Sequence, residues 1–186
     1  MKVEIPLSKA NRLINHGPAV LITSQSEGRP NVMTAAWQTP VSHHPPLVAV
    51  SIAPERYSHQ LIKKSREFVV NVPPRVLLEK VHGCGTVSGR EANKFEQYHL
   101  TPIPAAKVKA PLIKECIGHL ECKLIESYEV GDHTLFMGEV LAVSVEEDLF
   151  DDFWRVDNPK AKTLHHLGGT MYTCPDKRVM PFKDKA

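Results

Sequence analysis

The sequence predicts a mainly β domain with flanking helices, closed or half closed into a barrel. Three observations lead there. The stretch GHLECKLIESYEV, the turn Val130-Gly131-Asp132 and the stretch HTLFMGEVLAVSV read as two long strands joined into an antiparallel ribbon. Fifteen prolines, with pairs at Pro45–Pro46 and Pro73–Pro74, chop the remaining chain into short elements and disfavour a long-helix bundle. The strand–helix alternation of a doubly wound sheet is absent. Six or seven strands with short turns bury both faces and remove their edges most simply by closing on themselves.

The elements follow in order. Residues 1–16 form an N-terminal arm, with a short helix expected from Ser8 as its N-cap. Ala19–Ser24 is a strand, and Gln25-Ser26-Glu27-Gly28 turns it into a partner strand over Asn31–Ala36. The run LVAVSI (Leu47–Ile52) has the apolar continuity of a strand buried on both faces. Ser58–Lys64 reads as a short helix capped by Ser58, with Leu61 and Ile62 inward. Phe68–Val72 is a strand. Pro74–Val81 is helical, with Val76, Leu77, Leu78 and Val81 inward and Glu79 and Lys80 outside. In the first strand of the long ribbon, Leu120, Cys122 and Leu124 share one face, and Glu121 and Lys123 the other. Residues 146–186 form a less regular C-terminal extension whose Phe153 and Trp154 call for cover.

The 186 residues suit a single domain, and an apolar content of 42% supplies a core without special staples. The formal net charge of +2 is spread thinly, and the densest basic cluster, KKSR at 63–66, is expected at the solvated end of a helix. No nucleic-acid partner is expected on that basis. No apolar window reaches membrane-spanning length, and the N-terminus lacks the apolar stretch of a secretory signal, so the expected location is the cytoplasm. The four cysteines contain no CxxC pair and suit a reducing compartment as free, mostly buried thiols.

Several constellations are candidates for chemistry. Thr34, Ala35 and Ala36, then Ser51, Ala53, Tyr57 and Ser58, place small and hydroxylated side chains where a ligand must approach backbone closely. The segment HGCGTVSGR (82–90) resembles a dinucleotide fingerprint, yet the glycine that GxGxxG requires at 88 is Ser88, and a helix rather than a strand precedes it. It reads either as a loop ending a helix or as a Gly-rich ligand loop in which Ser88, Arg90 and Lys94 add polar contacts. Cys84 within it is either an inert loop thiol or an exposed reactive one. The pairs His43-His44 and His165-His166, and His82 with Cys84, lack metal-site spacing, so no metal site is expected. No GxSxG nucleophile motif occurs. Trp37 is either a core aromatic or a ring that stacks on a ligand. His133, at the turn-proximal start of a strand, is either a surface residue or a ring N–H donor.

Taken together, the TAAW segment (34–37), the SIAPERYS turn (51–58) and the HTLFMGEV strand (133–140) resemble the flavin-reductase-like family of FMN-binding split barrels, the group that includes flavoredoxin. The SGR segment followed by Lys94-Phe95 fits the same pattern. The resemblance extends over residues 10 to 175 and implies a six-stranded antiparallel Greek-key split barrel, a homodimer, and FMN as cofactor. It implies that Asn31, Met33, Thr34, Ala35, Ala36 and Trp37 meet the isoalloxazine and ribityl parts. Ser51, Ile52, Ala53, Tyr57 and Ser58 would meet the ribityl chain and phosphate. Ser88, Gly89, Arg90 and Lys94 would complete the phosphate side or ring edge, with Asn71 a further candidate. It also implies hydride transfer from NAD(P)H to the flavin, with His133 positioning the nicotinamide, and electrons passed to a small-molecule acceptor or a redox protein. Two other functions remain open at this point: an FMN electron carrier without its own nicotinamide site, and a non-catalytic barrel binding module. Oxidation of pyridoxamine phosphate is disfavoured by the lack of a dense basic phosphate cluster.

Overall fold

The computed structural model describes residues 1–181. Seven strands form one antiparallel sheet. They are β1 (Val20–Ser26), β2 (Arg29–Ala35), β3 (Gln38–Ser42), β4 (Leu47–Ile52), β5 (Glu67–Val72), and the long ribbon. Two short pairs lie outside it: β6 (Pro102–Ile103) with β7 (Leu112–Ile113), and β10 (His165–Gly168) with β11 (Met171–Thr173). The ribbon itself is β8 (Gly118–Val130) and β9 (His133–Val145), as the alternating pattern predicted. The order is β2-β1-β5-β8-β9-β4-β3. Ala35 on β2 shares one core with Val50 and Ile52 on β4, so the two flanks of the sheet curl around a common interior. The expected split barrel is the architecture found.

The interior is close-packed around Phe68 and Phe136, both fully buried. At Gly138 on β9, a Cβ would stand 2.5 Å from the Phe68 ring and 3.1 Å from the Cys122 Cβ. Glycine there lets the Phe68 ring lie against the strand. The β1–β2 turn is tight because Glu27 and Gly28 both take positive φ, 52° and 75°, the combination that matches strand twist in a two-residue hairpin.

Three helices flank the barrel: α1 (Tyr57–Ser65), α2 (Leu78–Thr86) and α3 (Lys94–Gln97). Helix α1 buries Leu61 and Ile62 as expected. Lys63 and Lys64 lie at its solvated end, paired with Glu129 and Glu27. A second core under α2 joins Leu77, Val81 and Cys84 to Phe95, Leu100 and Leu164.

Several expectations are corrected. The sheet has seven strands, within the six or seven read from the sequence and one more than the resemblance implied. The extra one, β3, carries Pro40 and exposed Thr39 and Val41, and an edge strand with a proline has no apolar pattern to announce it. The N-cap of α1 is Arg56, without a side-chain cap, because Ser58 lies inside the first turn and is buried. The arm holds a 3-10 segment, Leu7–Leu13, led by Pro6 rather than capped by Ser8. The helix expected over Pro74–Val81 begins as a 3-10 turn at Arg75–Leu77 and runs on as α2 through Gly83 and Gly85 to Thr86. Val76 is therefore exposed and Leu78 partly so. Glu121 is buried: its carboxylate accepts from the N–H groups of Ala106 and Lys107, and a bulge after it lets Cys122 also face inward. Trp154 packs against the core of Ile117, Leu149 and Ala161, whereas Phe153 is exposed.

Two outcomes are expected from this packing. Gly138→Ala should lower stability by about 1–3 kcal/mol in urea unfolding, since Phe68 has no room to retreat, while Gly17→Ala, in open space and without a positive φ, should cost less. Of the four cysteines, Cys84, Cys116 and Cys122 are buried. Burial pushes the thiols of Cys84 and Cys122 up to about 11 and about 12. A thiol titration of the native chain should therefore count one fast group, Cys174, and four after denaturation.

Candidate functional site

A cleft of about 550 Å³ opens beside the barrel, within the size range of small-ligand sites. Its walls come from β2, the β2–β3 junction, the end of β4 with the start of α1, the segment 84–94, and the start of β9. Of the sequence-predicted residues, Asn31, Met33, Thr34, Ala35, Ala36, Trp37, Ser51, Ile52, Ala53, Tyr57, Ser58, Ser88, Gly89, Lys94 and His133 all line it.

Two predicted residues stand off the cleft. Asn71 is fully buried between strands, donating to the Leu21 carbonyl and Thr23 Oγ1 and accepting from the Ile113 N–H. Its polar groups are consumed in holding β1, β5 and β7 together. Arg90 donates to the Glu55 carbonyl at 2.8 Å and lies over the Tyr57 ring, 5.3 Å from its centroid. It braces the 88–91 segment against the start of α1 instead of facing the opening.

One side of the cleft is polar and pre-arranged. Asn31 Nδ2 donates to Ser58 Oγ at 2.8 Å, which leaves the Ser58 hydroxyl proton free for another acceptor. A Cβ on Gly89 would fall 1.9 Å from Asn31 Oδ1 and 3.1 Å from the Tyr57 ring, so only glycine lets the 88–90 segment close on this pair. Thr34 Oγ1 donates to the Val81 carbonyl and ties β2 to α2.

Lys94 is only 4% exposed, yet it lines the same cleft. Its Nζ donates to the Cys84 carbonyl at 2.8 Å and makes no ion pair among the described residues. Burial lowers its pKa to about 8. The Cys84 side chain points into the core, so the thiol is neither exposed nor on a loop, as its flanking glycines had allowed.

At the opposite end, the His133 ring packs against Trp37 with centroids 4.9 Å apart and planes tilted by 34°. His133 Nδ1 lies 2.7 Å from Asp132 Oδ1. That contact holds the Asp132 carboxyl below its ordinary range and fixes which ring nitrogen faces outward. Trp37 is 39% exposed, a cleft wall rather than a core residue.

Asn11, Arg12, Asn15 and His166 also line the cleft, and sequence reasoning missed them. The first three lie in the arm. The His165-His166 pair had been weighed only as a metal ligand, and no group of three or more metal-ligating side chains occurs among the described residues.

The residues present fit FMN. Hydroxyls, amides and a buried cation can hold a phosphorylated chain. Ala35, Ala36, Met33 and Ile52 offer the apolar wall a flat ring needs, and the Gly89 cradle admits close approach.

The flavin reductase like domain matches residues 12–171. An uncharacterized protein of Archaeoglobus fulgidus is 50% identical over 132 residues, covering 71% of this chain and 73% of the relative. The crystal structure of an FMN-binding protein from Thermus thermophilus with bound 1-cyclohex-2-enone superposes with a TM-score of 0.81 at 31% identity, covering 97% of this chain and 98% of that one. Flavoredoxin of Desulfovibrio vulgaris (Miyazaki F) gives a TM-score of 0.81 at 28% identity over 91% and 92% of the two chains. More distant relatives include a ferric-chelate reductase (NAD(P)H) of Archaeoglobus fulgidus, 28% identical over 69% of this chain and 75% of its own length. By sequence match and by architecture alike, the chain belongs to the flavin reductase-like family.

Proposed function

We propose that this chain is a cytoplasmic, homodimeric FMN-binding oxidoreductase that takes hydride from NAD(P)H and passes electrons to a second acceptor. The observation that carries the reading is Lys94. An ammonium withdrawn from water beside a single carbonyl is stabilised by an anion, and the donors around it suit a phosphate. Family membership supports FMN as that anion's source, and the printed name of the ferric-chelate reductase supports NAD(P)H as reductant.

Bound FMN would supply a two-electron carrier, able to accept hydride and release electrons to ferric iron, free flavin or a redox protein. The chain's own residues bind and orient. Lys94, Ser58 and the start of α1 neutralise the phosphate; α1 is uncapped by any side chain, so its first N–H groups stay available to an anion. Ala35 and Ala36 are small enough that a flat ring would be able to approach the backbone there. His133, held by Asp132 and backed by Trp37, presents a ring N–H or lone pair at the mouth and positions the nicotinamide. No side chain needs to move a proton for hydride transfer.

The basic test is FMN titration followed by flavin fluorescence, then anaerobic mixing with NADH or NADPH. Quenching and saturable bleaching are expected. Bleaching only by a reduced protein partner would leave an electron carrier, and absence of quenching would remove the reading. Lys94→Met should weaken FMN binding by about tenfold or more, the worth of one charge-assisted hydrogen bond. Because Lys94 is charged below about 8, FMN affinity should hold near neutral pH and fall as pH rises through that value, a slope the Met variant lacks. His133→Ala should cut the bleaching rate about tenfold with the FMN dissociation constant unchanged.

A further inference from the structure

The wall of the cleft that the FMN reading leaves unused is built by two segments outside the barrel. The end of the arm and β10 are stapled together: Pro18 bridges to His165, the His166 N–H donates to the Gly17 carbonyl at 3.2 Å, and His165 Nδ1 lies 3.0 Å from the His16 carbonyl. This brings Asn11, Arg12, Asn15 and His166 to the same opening as Trp37 and His133.

Arg12 is seated rather than paired. Gly168 takes φ +127, and a Cβ there would fall 2.5 Å from Arg12 Nη1 and 2.8 Å from its Cζ. The guanidinium thus lies along backbone that only glycine leaves open. It makes no side-chain hydrogen bond or ion pair among the described residues. Arg56, by contrast, approaches Glu55, and Lys94 bonds the Cys84 carbonyl.

Two residues that line the cleft with it carry polar atoms without partners. Asn11 Oδ1 and His166 Nδ1 are both screened from solvent and unbonded. His166 Nε2 lies 3.0 Å from the Gly169 carbonyl, which can only accept, so Nε2 donates there and Nδ1 is left without a partner. Unpaired buried polar groups are costly, so a ligand that supplied partners for them would be stabilised by doing so.

A guanidinium without a side-chain partner and two unpartnered polar atoms on residues of one cleft wall suit a ligand that offers an anion and hydroxyl groups together. We propose that this wall is a second subsite for a ribose-phosphate unit, with Arg12 on the phosphate and Asn11 and His166 on the sugar hydroxyls. Resting on the functional reading above, it assigns the subsite to the ribose-phosphate of the reduced nicotinamide dinucleotide, whose ring end would reach His133. The glutamates that line the cleft, Glu55 and Glu91, belong to the segments flanking the FMN side.

The test titrates the FMN-loaded chain with ribose 5-phosphate, which carries neither nicotinamide nor flavin, by calorimetry and by the resonances of Arg12 Nε–H and the Gly168 amide. Saturable binding that shifts both signals is expected. Arg12→Ala should weaken it about tenfold, Arg12→Lys less, and neither should move the FMN dissociation constant more than about twofold. Asn11→Ala should weaken ribose 5-phosphate but not inorganic phosphate. No saturable binding overturns the proposal, as does equal binding by Arg12→Ala. A rise in the FMN constant alone gives Arg12 to the flavin phosphate and also overturns it. Phosphate competing as well as ribose 5-phosphate overturns the sugar half. FMN loading is scored separately by fluorescence, so a chain that takes no FMN sinks only the functional reading, and the same titration on the bare chain then decides the subsite. Parallel titration with oxidised NAD and with AMP distinguishes a dinucleotide from other nucleotides.

Discussion

A single buried ammonium organises the cleft. Removing Lys94 from water is costly, and the partner that offsets it is a carbonyl in the last turn of α2, where helix carbonyls carry partial negative charge. The helix can reach that point because it continues through Gly83 and Gly85. Tyr98 occupies the space a side chain at 83 would need, and Thr34 the space beside 85. The Lys94 ammonium thus ties α3 to α2, and the Thr34 hydroxyl ties α2 to β2.

The barrel supplies rigidity for this arrangement. The chain passes from β2 to β3 through Ala36 and Trp37, so residues on opposite flanks of the sheet meet at one opening. The Ser51 N–H bonds the Trp37 carbonyl at 2.9 Å, locking the junction to β4. The β4–β9 register sets Ser51 beside Leu135 and Ile52 beside Thr134, which brings the start of β9 and His133 to the same mouth. His59 behind it bonds Thr134 at 2.9 Å and packs edge-on against Phe136, so the strand end is anchored from inside. A site built on strands in this way tolerates little drift.

The cleft has two kinds of wall. The barrel side is made from consecutive sequence motifs and carries small residues, hydroxyls and the buried lysine. The outer side is assembled from residues about 150 positions apart in sequence, joined by backbone bonds between the arm and β10. Its guanidinium and unpartnered polar atoms differ in kind from the small residues, hydroxyls and buried lysine of the barrel side.

Much of this was legible in the sequence. Period-2 alternation marked β8 and β9, the apolar run LVAVSI marked β4, and small residues with hydroxyls marked the barrel wall, because strand faces and close backbone approach are local demands on residue type. Where the sequence misled, the deciding force was not local. Glu121 looked solvent-facing until the 106–107 backbone supplied two donors. Asn71 looked ligand-facing until three strands claimed its amide. Gly83 and Gly85 looked like helix breakers until packing against Tyr98 and Thr34 made small residues necessary inside a helix. Arg12 gave no signal, and His166 stood out only as half of a histidine pair without metal-site spacing, since each acquires meaning only from the other's position. Local residue patterns were enough for most strands, their alternation and the chemistry of one wall. Which polar groups are buried with partners and which are left without them emerged only in the folded chain, because hydrogen-bond satisfaction is settled between segments far apart in sequence.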